Sequence, residues 1–361
     1  MTADASEASG DLVLITGGAG FIGTNLADQL LQQGRRVRIF DNLSRLGVER
    51  NLAWLQQRHH GRVQFKWGDI RDSHAVSAAV RGVSQVFHFA AQVAVTTSLT
   101  DPVRDFEVNA RGTLNLLEAV RLGGRPGLVF TSTNKVYGHL DALALEETGD
   151  RYEPVDPACR QGVGESRPTA FHSPYGCSKG AADQYVLDYA RTFGVPATVF
   201  RMSCIYGPHQ CGNEDQGWLA HFILHALAAK PVTLYGNGRQ VRDVLHVEDL
   251  VDALQRAQNR IHDLSGRAFN IGGGPAHTTS LLELLALIRE LHGTLPPMKL
   301  ADWRAADQRY YVSDIRHFCD ATGWSPRIGV RAGVSQLYRW LAQFRAPSSS
   351  SLNTNQTAPA A

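Results

Sequence analysis

Apolar and polar positions alternate in blocks along the first two hundred residues. Strand-like segments stand at 12–16, 36–40, 63–67, 85–89, 127–132 and 197–202, and Leu12 to Ile15 is a continuous apolar run. Such runs, bounded by glycine or polar residues, are the pattern of strands buried on both faces. Helix-period segments lie between them at 22–33, 47–58, 73–80, 108–122 and 178–193. The alternation predicts an α/β chain with a doubly wound parallel sheet, whose ligands sit at the carboxyl ends of the strands. Residues 139–172, with Pro154, Pro157 and Pro168, break the rhythm and read as a long irregular insertion. Beyond residue 203 the pattern is mixed, with helices near 217–229, 247–261 and 280–292 and short strands near 232–235 and 268–271. The expected division is an N-terminus (1–10) and a tail (346–361) without order, a nucleotide-binding unit (11–203), and a smaller C-terminal substrate-binding lobe (204–345) partly interleaved with it.

The first strand runs straight into Thr16-Gly17-Gly18-Ala19-Gly20-Phe21-Ile22-Gly23. Glycines 17, 20 and 23 allow a tight turn and let backbone approach a pyrophosphate at a helix N-terminus. The second strand ends at Asp41, eighteen residues beyond Gly23. That is near the spacing of the acid that grips an adenosine ribose. Strand, glycine turn, helix, strand and acid in this order identify a Rossmann-type dinucleotide site. A carboxylate accepts hydrogen bonds from ribose hydroxyls and repels a 2′-phosphate, so Asp41 favours NAD over NADP. Arg45 partly offsets that preference.

Tyr175 and Lys179 stand four residues apart at the start of a helical run. Positions i and i+4 share a helix face. An ammonium beside a phenol is expected to lower the phenol pKa, and a phenolate can take a proton from a sugar hydroxyl. Thr133, at the end of the 127–132 strand, is a second hydroxyl at the same level.

These motifs resemble those of the extended short-chain dehydrogenase/reductase family of nucleotide-sugar enzymes, from about Leu12 to Phe344. Further landmarks are Gly68-Asp69-Ile70, Phe87 to Ala91, Asn109 to Glu118, Thr131 to Gly138, Val241 to Asp249 and Arg304 to Asp307. The stretches Asp41 to Arg45, Gln92 to Ser98, Phe171 to Tyr185 and Gly236 to Asp243 bring it nearest to members that epimerise CDP-deoxyhexoses at C2. The resemblance implies that Phe21, Ile22, Asn42, Asp69, Ile70, Ala90, Ala91, Asn109 and Ser132 join the glycines and Asp41 around NAD. It implies Tyr175 as acid/base, Lys179 on the nicotinamide ribose, and Thr133 on the reacting oxygen. It implies Gln92, Asn134, Cys204, Arg242 and Arg304 at the nucleotide sugar, the arginines on its pyrophosphate. It also implies a homodimer or homotetramer paired through the 109–122 and 179–193 helices, both apolar on more than one side.

In related 4,6-dehydratases an Asp-Glu pair stands where this chain has Asn134 and Lys135. An amide has no titrating proton, and lysine is a poor carboxylate substitute, so water elimination loses its machinery. Met202 and Cys204 depart from the nearest members, which leaves the exact sugar open. A UDP-hexose 4-epimerase, a reductase releasing NADH, and an NAD-binding scaffold without turnover also remain open.

Composition narrows the picture in other ways. The net charge of +2 and the lack of long like-charge blocks give no basis for nucleic-acid binding. Five cysteines without Cys-x-x-Cys spacing point to neither zinc nor a disulfide framework, and no metal is expected. The N-terminus carries acids and no apolar stretch, and no run is long enough to span a membrane. A cytoplasmic enzyme is expected.

Overall fold

In a computed structural model, residues 12–140, 143–304 and 307–345 are described. The expectations for 1–10 and 346–361 lie outside the described residues. Seven parallel strands form the main sheet. They are β1 (Leu12–Thr16), β2 (Arg36–Asp41), β3 (Val63–Trp67), β4 (Gln85–His88), β5 (Gly127–Thr133), β6 (Ala197–Met202) and β7 (Ala268–Ile271). Their spatial order is β7-β6-β5-β4-β1-β2-β3. The order reverses between β1 and β4, and that crevice is where a doubly wound sheet binds ligands.

The chain crosses the sheet through α1 (Phe21–Gln32), α2 (Val48–Arg58), α3 (Ser73–Val80), α4 (Gly112–Leu122) and α5 (Ser173–Phe193). Successive strand residues serve opposite faces. Val13, Ile15 and Ile39 pack with α1, α2 and the helix Val247–Asn259. Leu12, Leu14 and Phe130 pack with α3, α4 and α5. Both faces are covered, which is why Leu12 to Ile15 of β1 reads as an unbroken apolar run.

The structure revises the reading in three places. The strand at 268–271 pairs with β6 as the far edge of the main sheet, not with the smaller C-terminal elements. The insertion holds an antiparallel hairpin, Leu145–Thr148 with Arg151–Pro154. The helical run before α4 begins at Pro102, with Asp101 capping it through the Arg104 N–H, and passes through a π-turn at Glu107–Arg111. Separately, Leu219, Phe222, Ile223, Leu234, Leu284, Ile288 and Leu337 form another core under the C-terminal elements.

A buried ion pair ties α5 to β6. Arg201 donates from Nε and Nη2 to the two carboxylate oxygens of Asp183, both at 2.9 Å. Arg201 also reaches the Tyr137 hydroxyl at 3.1 Å, and that hydroxyl donates to Asn270 on β7 at 2.8 Å. Removing one partner strands the other charge in the core. Arg201→Leu is expected to lower unfolding free energy by about 3–5 kcal/mol, read from the urea midpoint. A loss below about 1 kcal/mol would mean that Asp183 finds water or another partner.

Candidate active site

The glycine turn between β1 and α1 is closed by backbone contact. A Cβ on Gly17, whose φ is +67°, would lie 2.7 Å from Ala90 N. One on Gly23 would lie 2.6 Å from Gly18 Cα. Gly20 caps α1 without a side-chain hydrogen bond, and no acid stands in the first turn. The first-turn N–H groups, those of Phe21 and Ile22 among them, thus meet an open cradle, the shape and polarity that a dinucleotide pyrophosphate fits.

Asp41 ends β2 and is fastened to that turn. Its Oδ2 accepts from Ala19 N–H at 3.0 Å and its Oδ1 from Leu43 N–H at 2.8 Å. Burial raises its pKa, against the pull of these donors and Arg45. Asn42 donates to Asp69 Oδ2 at 3.0 Å, and the Arg71 side chain holds the Asp69 carboxyl down at about 2. Ile70 packs so closely on α4 that a Cβ at Gly112 would sit 2.7 Å from it.

A cavity of about 480 Å³ runs from Phe21 and Ile22 past Ala91, Ser132 and Thr133 to Arg242 and Arg304. Tyr175 and Lys179 line it, one turn apart on α5. Tyr175 is hydrogen-bonded to the Thr133 hydroxyl. Lys179 Nζ donates to Thr131 O at 2.6 Å and lies 4.3 Å from the Phe130 ring centroid. The buried Ser132 hydroxyl lines the same wall and has no protein partner. The phenol pKa runs against expectation. Burial pushes Tyr175 up to about 12, with only the Thr133 bond pulling it down. Burial likewise lowers Lys179 to about 7, although Asp183 and Asp105 support its charge. Desolvation outweighs the Thr133 hydrogen bond, and the expected lowering by the ammonium is not seen.

Asn134, Lys135 and Cys204 line the cavity beside Thr133. Arg242 Nη2 binds Asp307 at 2.6 Å, and Arg304 stacks on Tyr235 at 3.9 Å while meeting Asp215 at 3.3 Å. Gln92 is close by but spends its side chain on the local loop: Nε2 donates to Ala94 O and to Asp105 Oδ1, both at 2.8 Å. Asn109 pins the same loop, accepting from Gln92 N–H at 2.9 Å and donating to Gln92 O at 3.0 Å.

Asp105 is the residue that motif reading missed. It is fully buried, accepting from Ser178 Oγ at 2.5 Å and Asn109 Nδ2 at 3.1 Å. The four-residue step from Asp105 to Asn109 was the available signal. The histidines near the site are structural: His88 bonds Thr16 at 2.6 Å and Thr113 at 3.0 Å, and His246 caps the 247–259 helix. Among the described residues no cluster of His, Cys, Asp or Glu could hold a metal, and no helix is long and apolar enough to cross a membrane.

Comparison with known proteins now decides the family. Residues 13–272 match the NAD dependent epimerase/dehydratase family. The chain is 45% identical over 340 residues to a CDP-paratose 2-epimerase of Salmonella typhi, covering 92% of this chain and 99% of that one. The chain belongs to the NAD-dependent epimerase/dehydratase family. It is also 32% identical to a Streptomyces antibioticus dTDP-glucose 4,6-dehydratase, across 92% of this chain and 93% of that one. A family member solved with NAD, the Thermus thermophilus UDP-glucose 4-epimerase, superposes with a TM-score of 0.77 at 33% identity, covering 91% of this chain and 98% of that one.

Burial holds His88 neutral in the folded family scaffold, with its pKa lowered from 6.5 to about 3. Between those values the unfolded chain binds a proton that folded His88 does not, so stability falls as pH falls through this window. His88→Gln is expected to flatten the urea midpoint against pH between 6.5 and 3. An unchanged slope would place the acid sensitivity elsewhere.

Proposed function

We propose that this chain is an NAD-dependent nucleotide-sugar epimerase acting at C2 of a CDP-deoxyhexose such as CDP-paratose. One observation carries the choice of epimerisation over elimination. The cavity wall beside Thr133 and Tyr175 presents Asn134 and Lys135, not carboxylates. The cavity's acids are engaged elsewhere, Asp307 with Arg242, and Glu214 and Asp215 with Arg304. The similarity to a CDP-paratose 2-epimerase supports the substrate class.

In this reading Tyr175 takes the C2 hydroxyl proton and later returns it. The Thr133 hydroxyl holds the reacting oxygen. Lys179 anchors the nicotinamide ribose, and its charged form stabilises the phenolate that burial disfavours. Bound NAD supplies the hydride acceptor for oxidation to the keto-sugar and the donor for re-reduction on the other face. Arg242 and Arg304 grip the pyrophosphate, exchanging their carboxylate partners for phosphate oxygens. Residues 11–203 serve mainly the cofactor and 204–345 mainly the substrate. The five cysteines are all free, which suits the reducing cytoplasm.

Tyr175→Phe keeps the volume and removes the proton-carrying oxygen. Turnover of CDP-paratose should fall by at least about 10²–10⁴-fold with NAD still bound. A near-wild-type rate removes Tyr175 from the mechanism, and turnover of UDP-glucose in preference to CDP-paratose replaces the substrate.

Asp41→Ala should weaken NAD binding more than NADP binding in fluorescence titrations. Equal losses would mean that the carboxylate is away from the ribose.

The oligomer is inferred on a narrower surface than the sequence suggested. Leu116, Leu117, Val120, Val186 and Tyr189 are buried within the chain. Val103 (68% exposed), Phe106 (56%), Tyr185 (46%) and Phe193 (38%) stay exposed on α5 and on the Pro102–Phe106 helix packed against it. Light scattering should give at least twice the 39.5 kDa chain mass, and Phe106→Glu should lower it. A monomer at micromolar protein removes the interface.

A further inference from the structure

Gln240 stands just before the buried strand Val241–His246 and is 5% exposed. Its Nε2 donates to Tyr235 O at 2.9 Å, which fixes the orientation of the amide. The residue lines the cavity, and its Oε1 is buried without a hydrogen-bond partner. Gln216 lines the same cavity, and its Oε1 is buried and unpartnered too. Both belong to one end of it. Asp215, next to Gln216, meets Arg304 at 3.3 Å, and Arg304 stacks on the Tyr235 ring at 3.9 Å. A buried acceptor without a donor is costly, and native structures keep few of them. The strand sets the order along the cavity. Val244 pairs with Cys204, two residues beyond Met202, whose own strand partner is Thr133. Arg242 follows on the side away from Thr133, and Gln240 comes after it on the same face, about 7 Å beyond Arg242 at the usual strand rise.

We propose that Gln240 and Gln216 accept hydrogen bonds from the exocyclic amino group of cytosine, and so select cytidine over uridine nucleotides. The proposal rests on the reading of this cavity as a nucleotide-sugar site. A nucleotide sugar is connected in the order reacting sugar, pyrophosphate, ribose, base. With the sugar at Thr133 and Tyr175 and the pyrophosphate at Arg242, the nucleoside reaches Gln240. Cytosine carries an amino group on C4, with two hydrogens to donate. Uracil carries an oxygen there, which can only accept. Two unpartnered acceptors match the first base and repel the second. A site whose buried polar groups need a donor rejects the analogue that lacks it. The same amide of Gln240 is tied to the chain through Nε2, so its acceptor is held in place before the ligand arrives. Gln240 is thus a specificity-determining contact at the base, while the arginines grip phosphates that both nucleotides share.

The test titrates CDP and UDP calorimetrically into the NAD-loaded enzyme, as wild type, Gln240→Met and Gln240→Glu. Wild type should bind CDP the more tightly. Gln240→Met keeps the length of the side chain and removes the acceptor. It should cost about tenfold or more in CDP affinity, while UDP affinity holds or rises. Gln240→Glu loses the Nε2 bond to Tyr235 but keeps an acceptor, so the ratio of CDP to UDP affinity should stay near that of wild type. A merely structural glutamine would make the two variants alike in that ratio. Equal binding of CDP and UDP by wild type overturns the proposal without any variant. Equal losses of CDP and UDP in Gln240→Met also overturn it, since they place the contact on the ribose or in the packing. Wild-type preference for CDP without turnover of CDP-paratose overturns the epimerase reading instead, and leaves the base contact standing.

Discussion

Holding a lysine ammonium and a tyrosine phenol dry, one helical turn apart, is the demand around which this molecule is arranged. Each group loses its hydration, and neither compensates fully for the other. The surrounding polar core responds in two directions. Below α5, Asp105 lends negative charge to Lys179 and is itself held by Ser178, Asn109 and Gln92. Further along α5, Asp183 does the same and is neutralised by Arg201, whose other contact is Tyr137. The chain of partners ends at Asn270 on the far edge strand. Two hydrogen-bonded groups that look unrelated in sequence thus converge on the charge of Lys179, and breaking either leaves buried polar atoms unpaired.

The fold was largely legible because strand-like and helix-like segments alternate along the first two hundred residues. The segments at 12–16, 63–67 and 197–202 coincide with β1, β3 and β6, although β3 carries Gln64 and Lys66 and is only half-buried. Reading failed where partners, not side-chain type, decided burial. Val241–His246 is a wholly buried strand, yet it contains Arg242 and Asp243, whose charges are met by Asp307 and Ser203. The helical run was read from residue 108, but it starts at Pro102, which occupies the first helical turn after an aspartate cap, where no amide hydrogen is needed.

The site divides in the same way. Gly17, Asp41, Tyr175 and Lys179 are singled out by spacing and Thr133 by resemblance, because each chemical task fixes a short local geometry, and Thr133, Tyr175 and Lys179 line one cavity. Asp105 was not, since an acid inside a helical run reads as a solvated face until its neighbours are known. Gln92 reads as a ligand contact, and the structure shows its amide committed to Ala94 and Asp105. The pKa of the phenol was also beyond sequence, because it depends on how completely water is excluded.

The strand Ala268–Ile271 has a consequence for how the chain acquires its shape. It docks on Ala197–Met202 across some seventy intervening residues. Until it is made, the inner strand beside it presents an open row of amides and carbonyls, a template for pairing with other chains. The Asn270 terminus of the polar network is missing for the same interval. The nucleotide-binding half is therefore not a module that a ribosome can release finished at residue 203. Such long-range closure slows folding, and the nascent chain must stay protected from its neighbours until about residue 271 has emerged.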